Sequence, residues 1–392
     1  MYKRQDQYAA PEVRDAWQSV KDLERERAAL WESFPTVMVM EEMEPRRDTF
    51  RLIRGAYDVP GERVDPGVPA VLPPMPDDAT NDRLGFARWL VQPDHPLTAR
   101  VAVNRFWQMY FGTGLVKTSE NFGLQGEYPS HPELLDWLAT TFIDSGWDVK
   151  ALQRAIVTSS TYRQASNLTP EVLEEDPENR LLARGPRQRM TAQMIRDQAL
   201  SIADLLVPRL GGPSVRPYQP EGLWEEQSSQ EYRQSEGDDL FRRSLYTYWK
   251  RTLAPPSMLA FDSSTRETCI VRLSRTNTPL QALNLMNDVT YVEAARRLGE
   301  RMITEGGTTP DDRIAWAYRL ATGHRPAPNA EAVLRETYDD FLGTYQADRA
   351  AALEFVDVGE TPRDETLDVA ELASYQMVAS MILNLDRTIT KD

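Results

Sequence analysis

Proline at the opening of one helical segment after another is what most constrains this chain. Ser130-His-Pro-Glu133, Thr278-Pro279 and Pro310 each put proline in a first turn. There its missing N–H costs nothing and its fixed φ suits the helix. Ser130 and Glu133 also have capping-box spacing. Behind each signal, apolar residues recur every three to four positions. These helices run to Asp144, to Ile303 with a break near Asn287-Asp288, and to Gly323. Others are predicted over 12–34, 81–91, 98–111, 148–160, 191–207, 329–345 and 367–387. Strand-like runs are confined to 36–43 and 48–57, and six prolines make 58–78 an extended connector. Residues 208–238 read as loop, and the alternation in 241–251 as a strand or short helix. The fold class is mainly α: a compact multi-helix body with a small β element near the N-terminus. Residues 1–78 form an N-terminal helix, strand pair and proline-rich connector. Residues 79–392 form the helical body, with subdivisions near 208 and 278.

Several function classes are excluded by what the chain lacks. Its single cysteine, Cys269, permits no intrachain disulfide and no C-x-x-C zinc, iron–sulfur or haem-attachment motif. We expect it to be a small buried hydrophobe. The three histidines, His95, His131 and His324, form no H-E-x-x-H, and no carboxylate loop of metal-binding type is present, so no metal is expected. A formal charge of −15 argues against a nucleic-acid partner. Mean hydropathy is −0.53 and no apolar run approaches the roughly 18 residues a membrane span needs. The first residues carry no signal-peptide pattern.

The 98–111 helix is the most informative segment. Ala102, Val103, Phe106, Trp107, Met109 and Tyr110 share one face. Arg100, Asn104, Arg105 and Gln108 share the other, a stripe of guanidiniums and amides without Lys or Glu. Such a stripe is either a donor-rich wall for an anionic or hydroxylated ligand, or a set of groups bonding to the following loop, Gly112-Thr-Gly114. His131 falls in a helix's first turn, where the dipole favours neutral imidazole. Beside Glu120 it is a candidate general base, and a cap in the plainer reading. Charge also segregates. Residues 180–196 hold five arginines and no acid, 219–240 seven acids against Arg233, and 242–275 seven basic residues against two acids. An arginine-lined anion pocket is one reading. An arginine–carboxylate network docking the 219–240 loop is the plainer one.

A series of motifs resembles a known family. They are Arg83-Leu-Gly-Phe-Ala-Arg-Trp-Leu90, His95-Pro-Leu-Thr-Ala-Arg-Val-Ala-Val-Asn-Arg-Phe-Trp107, Phe111-Gly-Thr-Gly-Leu-Val116, Ser130-His-Pro-Glu-Leu-Leu-Asp-Trp137, Thr158-Ser-Ser-Thr-Tyr-Arg163, Arg275-Thr-Asn-Thr-Pro-Leu-Gln-Ala-Leu283 and Asn384-Leu-Asp386. Over roughly 80–392 the chain is similar to the planctomycete-type PSD domain of unknown function. The resemblance implies the C-terminal module of an exported, periplasmic or cell-surface protein. It implies two upstream partners: a cytochrome c domain, whose haem c is the only cofactor expected and is not carried by this chain, and a second domain of unknown function. Residues 1–78 would then be the tail of an upstream domain. The resemblance brings no established activity. The matched polar positions Arg163, Arg275 and Asn277 join Arg100, Asn104, Arg105, Gln108 and Arg272 as candidate ligand-binding residues, with His131 and Glu120 as candidate catalytic ones. Three functions follow as expectations: binding of an anionic or polyhydroxylated ligand such as a glycan, a redox or hydrolytic site shared with upstream domains, or a scaffold without ligand.

Overall fold

The computed structural model describes residues 10–226, 231–250 and 252–391. About half of the chain is helical, and the described strands form only two small two-stranded sheets. Two compact units, Met1–His95 and Pro96–Asp392, divide it.

In the first unit, α1 spans Pro11–Ser33, β1 Thr49–Leu52, β2 Pro60–Val64 and α2 Arg83–Leu90. Helix α1 has no buried residue. The strand expected over 36–43 joins no sheet among the described residues, and Met38 is fully exposed. An apolar alternation makes a strand only where another edge offers hydrogen bonds. That edge is used instead by β1 and β2, which pair antiparallel around Arg54 and Gly55, both at positive φ. Strand β2 thus lies inside the expected connector. Asp82 caps α2, its side chain accepting from the Gly85 N–H at 2.8 Å. Trp89 is buried, stacked on Phe86 and edge-on to His95. Its indole N–H donates to the Pro73 carbonyl at 2.7 Å, tying the proline-rich stretch to the helix.

In the second unit, α3 spans Thr98–Phe111, α4 Pro132–Asp144, α5 Val149–Thr158 and α6 Pro170–Glu175. After β3 (Gln188–Arg189) come α7 (Ala192–Ile202), α8 (Pro256–Ala260), α9 (Pro279–Asn287), α10 (Val289–Glu305) and α11 (Pro310–Thr322). The chain ends with α12 (Pro328–Ala347), α13 (Arg349–Val356), α14 (Val369–Leu383), α15 (Asp386–Ile389) and β4 (Thr390–Lys391). Helices α3, α4 and α5 close over Val103, Trp107, Leu138, Phe142 and Ile156. The larger core forms where α10 and α14 cross, joined by α7, α11 and α12 around Leu298, Met302, Ile314 and Ile382. Each such side chain, fully buried, contributes about 1.5–3 kcal/mol. The expected break between α9 and α10 is present, with Asp288 ending one helix and capping the next. The helix expected over 191–207 stops at Ile202, because Asp204 turns to a positive φ of 56°.

Residues 203–250 contain only short 3-10 helices and isolated bridges among the described positions, and the short helix of the alternating 241–250 stretch is the 3-10 turn Ser244–Tyr246. Two buried arginines hold this stretch. Arg196 donates to the carbonyls of Leu240 at 2.6 Å and Arg242 at 3.0 Å. Arg242 donates to Pro213 and Arg209 at 3.1 Å and to Gly211, and lies over the Tyr246 ring. Arg180 and Arg184 likewise take the carbonyls of Gly114, Leu115, Asp176 and Pro177. This corrects the expected arginine–carboxylate network. The 180–196 arginines ion-pair with Asp262 and Asp386, and four of the guanidiniums serve backbone carbonyls that no ladder satisfies.

Candidate functional site

Two members of the α3 polar stripe, Asn104 and Gln108, face the loop that follows the helix. Asn104 is fully buried. Its amide donates to the Val116 carbonyl at 3.0 Å and accepts from the Val116 N–H at 2.8 Å. The Ser119 hydroxyl donates to Gln108 Oε1 at 2.6 Å. Arg100 bonds Asp136 and the Pro96 carbonyl, both at 2.6 Å, while Arg105 is exposed. His131 Nδ1 lies 3.0 Å from Ser130 Oγ, and Glu120 lies 3.8 Å from Arg272. No hydrogen bond or ion pair among the described residues joins Glu120, His131 and Arg105. Arg163 is exposed beyond α5. Cys269, expected in the interior, is exposed, because the whole 266–280 stretch runs over the surface.

Arg275 and Asn277 lie elsewhere, on a cleft that gathers residues far apart in sequence. Three adjoining cavities of about 350, 450 and 580 Å³ share Arg187. Arg184 and Arg275 face the first, Arg189, Arg275 and Asn277 the second, and His324 and Arg387 the third. The acids on these walls are Glu178, ion-paired with Lys117, and Asp386, ion-paired with Arg187.

The neck between the first two cavities is built by Gly112, Gln188 and Arg275. Helix α3 ends at Gly112, whose φ is 82°. A Cβ there would stand 2.5 Å from Gln188 Oε1 and 3.2 Å from Arg275 Nη1, so only glycine lets these groups close on the turn. The Gln188 amide donates to the last-turn carbonyls of Met109 (3.1 Å) and Tyr110 (3.2 Å), which the helix leaves unpaired. Its Oε1 accepts from Arg275. A neutral amide therefore orients Arg275, and among the described residues no carboxylate offsets its charge. Partial burial of the guanidinium at the neck, then the like charge of Arg189, holds its pKa below the ordinary guanidinium value.

Arg189 is locked behind this neck. It donates to Gln281 Oε1 at 2.7 Å, to the Thr276 carbonyl and to Asp262. Burial alone would raise the Asp262 pKa. Arg189 and the N–H and hydroxyl of Thr276, both at 2.8 Å, outweigh it and hold the carboxyl below its usual range. On the far side of Gln188, the Lys391 ammonium sits 3.7 Å from the Tyr162 ring centroid, and burial lowers its pKa.

A second ionic cluster sits in the core, where the sequence reading placed no functional group. Glu293 and Arg296 are fully buried and Glu300 nearly so. Glu293 accepts from Tyr218 (2.8 Å) and from the N–H and hydroxyl of Thr361 (2.7 and 2.6 Å). Arg296 donates to Glu300 at 2.7 Å and to the Thr361 carbonyl at 2.6 Å. Burial first, then Glu293, pushes the Tyr218 pKa up. Gly359, at φ 102°, makes room for Glu293, whose Cδ would stand 2.4 Å from a Cβ there. Every member is bonded within the fold, so the cluster fastens the 357–364 loop to α10. The spacing Glu293, Arg296, Arg297, Glu300 along one helix was its signal.

Among the described residues, no group of three or more His, Cys, Asp or Glu side chains is placed to hold a metal ion, and no helix is long and apolar enough to cross a membrane.

Fold and cleft together define a helical module with an arginine-lined groove. Residues 82–338 match the family model PSD1, described as "Protein of unknown function (DUF1553)", and the chain belongs to that family. Nothing among curated proteins or solved structures matches it.

Proposed function

We propose that this chain binds an anionic, hydroxyl-bearing ligand, a glycan carrying carboxylate or sulfate groups, in the cleft around Arg187 and Arg275. The observation that carries the reading is the arrangement of Arg275: a guanidinium oriented by a neutral amide, on the wall of two cavities, with its charge left for a ligand. Arg187 is the second cation, and Asp386 is its exposed placeholder. Amides and hydroxyls at Asn277, Thr278 and Asn384 line the same cavity and match a polyhydroxylated partner. The wall first expected on α3 supports this site indirectly, since Asn104 and Gln108 shape the loop that follows Gly112. The reading keeps the placement implied by the resemblance: an exported C-terminal module working beside a cytochrome c domain.

A scaffold role is the second reading, favoured by the guanidiniums given over to backbone carbonyls. Thermal shift separates the two. At a hundred times its dissociation constant a ligand adds about 2.7 kcal/mol of stability. Glucuronate or a sulfated disaccharide stabilises the wild type, Arg275→Gln loses the shift, and Asp386→Asn enlarges it. Equal shifts in wild type and Arg275→Gln, or none with any anion, refute the proposal and favour the scaffold.

A further inference from the structure

The ligand class can be taken further, on the premise that the cleft binds anions. Each of the three cavities already falls within the roughly 300–1,000 Å³ that holds a small ligand. They adjoin in series. The first and second share Arg187, Gln188 and Arg275, and the first and third share Ser166, Leu168 and Arg187. A single small anion at Arg275 would leave the third cavity unused, yet that cavity carries its own cationic side chain, Arg387, together with His324. Each cavity also presents neutral groups that bond hydroxyls in either direction: Thr113 and Ser166 in the first, Asn277 and Asn384 in the second, Gln164 and Asn167 in the third. Cations repeating along a groove, with amides and hydroxyls between them, are complementary to a chain that repeats in the same way.

We infer that the cleft takes an extended acidic oligosaccharide, with Arg275 holding one carboxylate or sulfate, Arg187 standing at the junction and Arg387 meeting a later acidic unit. An acidic peptide carries the same charge but brings backbone amides in place of ring hydroxyls, and the cleft wall offers only two-residue strands for backbone pairing.

Calorimetric titration of the full chain with oligogalacturonates of one to six units, at fixed ionic strength, tests this. Affinity is expected to rise at least tenfold between the monomer and the tetramer and then to level off. Arg387→Gln should remove that gain and leave monomer affinity within twofold, whereas Arg275→Gln should weaken every length. Affinity independent of length, or a gain untouched by Arg387→Gln, overturns the extended ligand while leaving the anion site standing. Failure of every uronate and of sulfate to bind overturns the anion site itself. Hexaglutamate binding as tightly as the hexauronate overturns the saccharide class.

Discussion

Gly112→Ala is the sharpest probe of the neck. Two costs follow from its geometry. A side chain at φ 82° carries about 1–2 kcal/mol of backbone strain. The new Cβ would also meet Gln188 Oε1 at 2.5 Å, so the amide must shift, at a cost of up to its two bonds to Met109 and Tyr110. Each of those neutral bonds is worth about 1 kcal/mol. The total is up to about 3–4 kcal/mol. Gly323→Ala supplies the control: it also follows a helix end, at φ 73°, but nothing lies within 4 Å of its Cβ position. That variant should lose only the strain, about 1–2 kcal/mol. In melting temperature the two correspond to falls of about 5–6 °C and about 2–3 °C. Differential scanning calorimetry of both variants beside the wild type reads the difference. Equal losses would refute the claim that Gln188 and Arg275 close on Gly112.

Other outcomes follow from the buried groups. Glu293→Ala leaves Arg296 short of a counter-charge and the Thr361 N–H without its acceptor, and should cost about 3–5 kcal/mol by urea denaturation. A loss below about 1 kcal/mol would show that the cluster does not fasten the loop. Asp262 has a folded-state pKa below its unfolded value, so its stabilisation is present above about pH 4 and lost as pH falls through the folded value. Asp262→Asn should therefore lower the urea midpoint at pH 6 and flatten its decline toward pH 3. A parallel decline in both proteins would contradict the assignment.

The helices were legible because their signals are local. Thr278-Pro279, Thr309-Pro310 and Asp148 act within one turn of themselves, and the structure starts helices at each. Strand β2 was missed because pairing is set by the partner edge, not by the proline count of its own segment. The α3 stripe shows in the sequence as an unusual run of guanidiniums and amides, but the amide of Asn104 reaches 12 residues to Val116, a distance no periodicity reveals. The cleft lay further beyond reach. Arg275 meets Gln188 across 87 residues and Arg187 meets Asp386 across 199, and Gln188 sits in a two-residue strand without any pattern of its own. Arg275 and Asn277 entered the candidate set through motif resemblance, and Arg187 only as one charge among five.

The guanidinium-held stretch from 203 to 250 has a consequence for how this chain tolerates change. Where a helix or sheet spreads its bonding over many peptide groups, here the path of the backbone depends on two side chains, Arg196 and Arg242. Lysine cannot replace either, since one ammonium does not reproduce a planar fork reaching two or three carbonyls at once. Core side chains in the same stretch, Leu205, Val215, Trp224, Leu240 and Phe241, add packing to those anchors. Substitutions at exposed positions such as Leu210 should be absorbed, while a single exchange at either arginine should loosen the segment it holds.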